Sequence, residues 1–314
     1  MTSFTILTSL SDQILLHFYC YSLQDKLLNV GIPSIVSPPE VARSRPKGIM
    51  VIAGVEVTSL TDEVKTAILN YSGILGYMFD FFKPTSGNID TVEKSSFLIA
   101  STPEVAKVAS ASFPRKPCFV IPCGITTKLQ SIVDKMRPVE IGGYRVGLDC
   151  RNRYEYTEVL KVFQSLATSY PKLRTTLIDS NLSMESYRSE LINLVPRVDD
   201  ITISSLVVRA MCDILVVPAF RYPKGYQVVR WMHAGMMGVP CIFLDGDKIQ
   251  DYVSANTGFF CTTETLQNRI LEIASNPKLQ KSVGAGVKKE VLSRYTQHSI
   301  SELRRLVTWI DREL

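Results

Sequence analysis

Four stretches follow one another closely: Ile214-Leu-Val-Val-Pro218, Phe220-Arg-Tyr-Pro-Lys-Gly225, Tyr226 to Met237, and Gly238-Val-Pro240 leading into Cys241-Ile-Phe-Leu244. The two apolar runs are short and bounded by turn formers. That is how a strand buried on both faces reads. The segment between them places Val229, Met232 and Met236 on one face at helical spacing, and Gly238 with Pro240 closes it. Strand, loop, helix and strand in that order make a parallel unit, since two parallel strands need a crossover. In such a sheet, ligands sit beyond the C-terminal ends of the strands. The loop before Gly225 is therefore the first place to look for chemistry.

Working outward, the same alternation fills the rest of the chain. Upstream, strands read as Tyr144–Cys150, Thr175–Asp179 and Ile201–Ser204, with helices at Tyr154–Ser169, Met184–Leu194 and Ser205–Cys212. Downstream come Thr257-Gly-Phe-Phe260, a helix from Glu264, Asn276-Pro277 and a long basic helix ending at Arg294. A separate series occupies the first part. Its strands are Phe4–Leu10, Ser34–Ser37, Gly48–Val55, Ile74–Asp80, Phe97–Ser101 and Cys118–Ile125. Its helices are Ser11–Asn29, Asp62–Asn70, Ile89–Lys94 and Pro103–Ser112. Between the two series the pattern breaks, with Lys128, Lys135, Arg137, Pro138 and a Gly142-Gly143 pair. The expectation is an α/β chain of two Rossmann-like, doubly wound domains: 1–126, a linker at 127–142, and 143–296. A final helix at 297–314 carries Ile300, Leu303, Leu306, Val307 and Ile310 on one apolar face.

Composition agrees. Hydrophobic residues make up 46% and charged residues 21% of 314, the balance of a globular chain long enough for two domains. No apolar run reaches the roughly 18 residues of a membrane-spanning helix. The start, Met1-Thr-Ser-Phe-Thr-Ile-Leu-Thr, reads as a first strand and not as a signal peptide. The seven cysteines are scattered and the histidines number three. A zinc site is therefore not expected, and the cysteines read as reduced structural thiols in a cytoplasmic protein. A net charge of +5 suits a phosphate-bearing ligand or an anionic acceptor. No basic run or basic–aromatic ladder points to nucleic acid by itself. No G-x-G-x-x-G follows the first strand, which disfavours a nicotinamide dehydrogenase.

The order of parts from Asp213 to Arg294 resembles the donor-binding half of GT-B glycosyltransferases, the two-Rossmann enzymes that use nucleotide-sugars. Three further segments look like that family: Phe97-Leu-Ile-Ala-Ser-Thr-Pro-Glu-Val-Ala106, Phe119-Val-Ile-Pro-Cys-Gly-Ile125, and Val146-Gly-Leu-Asp-Cys-Arg151 with Ser169-Tyr-Pro-Lys-Leu173. The resemblance implies two domains facing across a cleft, with the last helix crossing back to the first domain. It also implies a nucleotide-sugar donor, no cofactor and no metal. One departure is central. The family's usual E-G-F-G-x4-E-A-M-A-x-G-x-P, aligned on Gly238 and Pro240, puts Gly225 and His233 where its two glutamates stand. The chain is similar instead to subgroups whose motif begins with Lys and carries a later Arg, here Lys224 and Arg230.

The candidate site follows from both lines. A helix N-terminus has free N–H groups that favour a diphosphate; Gly225 permits close approach, and Lys224 adds a charge. Tyr226, Arg230 and His233 share one helix face by spacing. The costly Gly235 implies a close backbone contact, with the sheet or with a ligand. Arg151 and Arg153, at the end of another strand, stand where the resemblance places cations for a pyrophosphate leaving group. In the first domain Ser9, Ser11 and Asp12 end the first strand. Asp80 is the candidate base for an acceptor hydroxyl. The functions these residues allow are sugar transfer to a glycan, a lipid-linked sugar, a protein or a modified DNA base; a catalytically inactive GT-B relative that binds a nucleotide-sugar or a partner; and a two-Rossmann epimerase of nucleotide-sugars.

Overall fold

The computed structural model describes residues 3–8, 14–53, 55, 59–79, 88–122, 131–133, 135–136, 143–150, 157–180, 192–196, 201–218, 225–244, 249, 253–293 and 298–313. The chain divides into two compact units, Met1–Thr127 with Ser293–Leu314, and Lys128–Leu292.

The first unit runs β1 (Phe4–Leu7), α1 (Ile14–Asn29), β2 (Ser34–Ser37), a 3-10 turn (Pro39–Ser44), β3 (Ile49–Ala53), α2 (Asp62–Leu69), β4 (Ile74–Phe79), α3 (Ile89–Lys94), β5 (Phe97–Ala100), α4 (Pro103–Ser112) and β6 (Cys118–Val120). All neighbouring strands pair in parallel, in the order β2-β1-β3-β4-β5-β6. The inner strands β1, β3 and β5 are buried throughout, and β3 and β5 accordingly read as unbroken apolar runs. Local chemistry sets the ends of the helices. Thr102 caps α4 by accepting from the Val105 N–H at 3.2 Å, and Pro103 opens it. Lys26, in the last turn of α1, is buried and donates to the Pro122 carbonyl at 2.6 Å. That bond ties the first helix to the exit of β6.

The second unit runs β7 (Tyr144–Asp149), α5 (Thr157–Ser169), β8 (Leu173–Ser180), β9 (Ile192–Pro196), α6 (Ile201–Met211), β10 (Ile214–Val217), α7 (Gly225–Met236), β11 (Cys241–Leu244), β12 (Phe259–Cys261), α8 (Leu266–Ala274) and α9 (Pro277–Leu292). It too is all parallel, ordered β12-β11-β10-β7-β8-β9. Counted from its own first strand this is the doubly wound order, and it reverses between β7 and β10. At the entry to those two strands Arg145 grips Asp213, Nη2 to Oδ1 at 2.7 Å and Nε to Oδ2 at 3.1 Å, and also donates to the Ala210 carbonyl at 2.7 Å. Hydrogen bonding to Asp213 raises the Arg145 pKa further above its already high value.

Two expectations are corrected here. Ile201–Ser204 is the first turn of α6 and not a strand. Its β-branched residues favour extended structure only weakly, and packing overrides that preference. Ile192–Pro196, read in part as the end of a helix, is β9, with Ile192 paired to Thr175.

The chain then reaches α10 (His298–Glu313), which belongs to the first unit. Leu303, Leu306 and Ile310 are buried. Trp309 meets Phe97 edge-on with ring centroids 5.7 Å apart and lies 6.0 Å from Phe119; Arg305 stands 5.3 Å over the Phe119 ring. The helix therefore covers β5 and β6 with aromatic contacts. The six cysteines among the described residues are free thiols. No helix among those residues is long and apolar enough to cross a membrane.

Candidate functional site

The strand-order reversal of the second sheet lies between the C-terminal ends of β7 and β10, at Asp149 and Val217. A doubly wound sheet binds ligands in that crevice. Helix α7 begins at Gly225, beyond the end of β10. Its first N–H groups have no partner within the helix, and its dipole favours negative charge there.

Beneath the crevice is a buried polar network. The Asp149 carboxylate, with a fully buried side chain, accepts from Arg230 Nε at 2.7 Å and from Nη2 at 3.3 Å. Arg230 Nη1 donates to Ser204 Oγ at 2.9 Å. One turn on, His233 Nδ1 lies 2.6 Å from Ser205 Oγ, and both residues are buried. The network joins the end of β7, the first turn of α6 and the middle of α7. A buried ion pair repays its desolvation only when geometry is good and its remaining groups are bonded. Here two N–H groups reach the two carboxylate oxygens and a hydroxyl takes a third.

The rest of α7 is fixed by packing. Trp231 is buried and its Nε1 donates to the Thr257 carbonyl at 2.9 Å. A Cβ on Gly235 would collide with the Val287 methyl of α9. The close contact expected of Gly235 is therefore with a neighbouring helix, neither with the sheet nor with a ligand. Gly238, at φ +70°, ends α7 in the left-handed conformation that glycine tolerates.

The structure brings some expected site residues together and not others. Gly225 is the first residue of α7. Tyr226 lies in that helix, with its side chain outside the described residues. Arg230 and His233, expected among the donor-binding residues, do share a helix face, and their side chains bond to Asp149, Ser204 and Ser205. The spacing fixed the shared face; its direction depends on residues far away in the chain. Arg151, Arg153 and Lys224 lie outside the described residues, as do Ser9, Ser11, Asp12 and Asp80. Three network residues had no role assigned from sequence: Asp149, Ser204 and Ser205. Asp149 carried a signal. A carboxylate closing the apolar run Val146-Gly-Leu-Asp149 is headed for burial and needs a cation. Among the described residues no group of three or more His, Cys, Asp or Glu side chains gathers as a metal site would need.

No protein-family model and no curated protein sequence matches the chain. Solved structures do. HepE from Anabaena, in complex with UDP-glucose, superposes with a TM-score of 0.67 at 14% identity over 98% of this chain and 100% of that one. The chain has the GT-B fold. Sucrose-phosphate synthase from Thermosynechococcus elongatus shares that fold at a TM-score of 0.62 and 12% identity, over 100% of both chains. A UDP-N-acetylglucosamine 2-epimerase shares it at 0.60 and 11%, over 91% of this chain and 90% of that one. The GT-B likeness and the two six-stranded parallel sheets agree.

Proposed function

We propose that the chain is a nucleotide-sugar-dependent glycosyltransferase, with the donor's nucleoside diphosphate seated at the strand-order reversal of the second sheet. The observation that carries this is the Arg230–Asp149 pair, which seats α7 on the end of β7 at that reversal. The fold neighbours HepE, solved with UDP-glucose, and sucrose-phosphate synthase support it. In this reading the Gly225 N–H and the Lys224 ammonium face the diphosphate, while Arg151 and Arg153 neutralise charge as the nucleoside diphosphate leaves. Tyr226 lines the same helix start. Arg230 and His233 act one layer below, holding α7 against β7 and α6. The sugar C1–O bond to the phosphate breaks and the acceptor oxygen bonds to C1. The acceptor's proton passes to the Asp80 carboxylate or to the departing phosphate. Ser9, Ser11 and Asp12 belong to the acceptor side. The acceptor is a hydroxyl of a glycan, a lipid-linked sugar, a protein or a modified DNA base, met in the cytoplasm.

A second reading is a GT-B relative that binds a nucleotide-sugar without transferring it. Gly225 and the buried His233, standing where the family resemblance places glutamates, favour it. A thermal-shift screen with UDP-, GDP-, ADP- and TDP-sugars, followed by assay of the stabilising donor for release of nucleoside diphosphate, separates the two. A donor present at about a hundred times its Kd adds about 2.7 kcal/mol to stability, enough to raise Tm by several degrees. Release with that donor supports transfer. Binding without release under any acceptor supports the second reading, and no stabilisation by any donor overturns both.

A further inference from the structure

The first unit has a cationic pocket at the opposite end of its sheet from any strand-end site. The segment Arg45-Pro46-Lys47-Gly48 joins the 3-10 turn to β3, and Ser72-Gly73 leads into β4. Between them is a cavity of about 370 Å³ whose lining includes Arg45, Lys47, Asn70, Tyr71 and Ser72. It adjoins a second cavity of about 470 Å³ and shares Arg45, Ala67 and Asn70 with it. Carboxylates, Asp62 and Glu63, line only the second. Glu63 there pairs with Arg43 at 3.3 Å. No ion pair engages the Arg45 or Lys47 side chains among the described residues.

The backbone that carries these cations is restrained. Arg45 has φ +48°, and is the one non-glycine residue with positive φ among those described. It also precedes a proline, a position that favours extended backbone. Such a conformation persists where its surroundings enforce it. The Tyr71 hydroxyl supplies part of that restraint, lying 2.9 Å from the Pro46 carbonyl and 2.8 Å from the Gly48 carbonyl and donating to them. Burial raises the Tyr71 pKa, so the phenol keeps its proton. From the other side Ser3 Oγ donates to the Lys47 carbonyl at 3.2 Å.

We infer that this pocket binds a phosphate monoester, with Arg45 and Lys47 on the phosphate oxygens and Asn70 and Ser72 on the group esterified to it. Arg offers paired N–H donors that match phosphate oxygens, and Lys a point charge. The volume exceeds what a bare phosphate fills and lies at the lower end of the range for small-ligand sites. The inference is independent of the donor reading, because it concerns the other unit and the other end of a sheet.

Calorimetric titration of the full chain, at fixed ionic strength, with ribose 5-phosphate and separately with inorganic phosphate tests it. Saturable one-to-one binding of ribose 5-phosphate is expected, at least about tenfold tighter than inorganic phosphate. Equal affinity for the two assigns the site to free phosphate and overturns the ester. The R45Q/K47Q double variant, whose changes are both at exposed side chains, is expected to weaken binding at least about tenfold. A K281Q/K289Q control on α9 is expected to leave it unchanged. No saturable binding, binding unchanged in R45Q/K47Q, or an equal loss in the control each overturns the proposal.

Discussion

Arg230 is only 1% exposed and its partner Asp149 is fully buried, so neither tolerates losing the other. Arg230→Met strands a buried carboxylate and is expected to cost about 3–5 kcal/mol, the range for breaking a buried pair from one side. Replacing both, as Asp149→Leu with Arg230→Met, should recover most of that loss, since apolar substitution of a whole buried pair is often near neutral. Urea unfolding of the three proteins checks this. A single-variant loss below about 1 kcal/mol, typical of an exposed pair, would show that the pair does not hold α7. At this scale the sequence was half legible. The spacing of Arg230 and His233 declared a common face. What it faces is set by Asp149, Ser204 and Ser205, brought in from 81, 26 and 28 positions away. Helical periodicity carries no information over such distances.

Among the elements, α7 was legible from sequence and is constrained in space by Gly235, Trp231 and Arg230. Gly238 and Pro240 announced its end, and the structure stops it at Met236. Gly235 announced a close contact, because an interior glycine gives up about 1 kcal/mol of helix propensity. The partner was not legible, because α9 is some fifty residues further along the chain. Gly235→Ala is a clean test. Propensity alone predicts a gain of about 1 kcal/mol. The collision with Val287 predicts a net loss of about 1–3 kcal/mol, as for overpacking. A denaturation midpoint that rises in this variant would mean that the helices separate at little cost. The misread elements share a cause as well. Ile201-Thr-Ile203 has strand-like residues, yet the serines that follow it bond to α7 from a helical turn.

For the whole molecule, strand–helix alternation made two parallel sheets legible, but the order of the strands was not. Order depends on which apolar runs meet across the sheet, and interior strands such as β1, β3, β5 and β10 are buried along their whole length and interchangeable by composition. Burial has a chemical consequence across both units. It pushes the Cys118 thiol up to about 11 and raises the thiols of Cys212 and Cys241 further. A thiol whose folded pKa is raised contributes stability that is intact below its unfolded value, about 8.5, and lost as pH climbs toward the folded one. The denaturant midpoint is therefore expected to fall on going from about pH 8 to about pH 10.5, and to fall less in a Cys118→Ala variant. A midpoint flat across that range would show these thiols to be exposed. The return of α10 to the first unit has a consequence for biosynthesis. The ribosome makes all of Lys128–Leu292 between β6 and the helix that covers it. While the second unit is being translated, Phe97 and Phe119 lack their Trp309 neighbour. The emerging polypeptide thus carries an aromatic surface that a chaperone can recognise, and the first unit is completed last although its synthesis begins first.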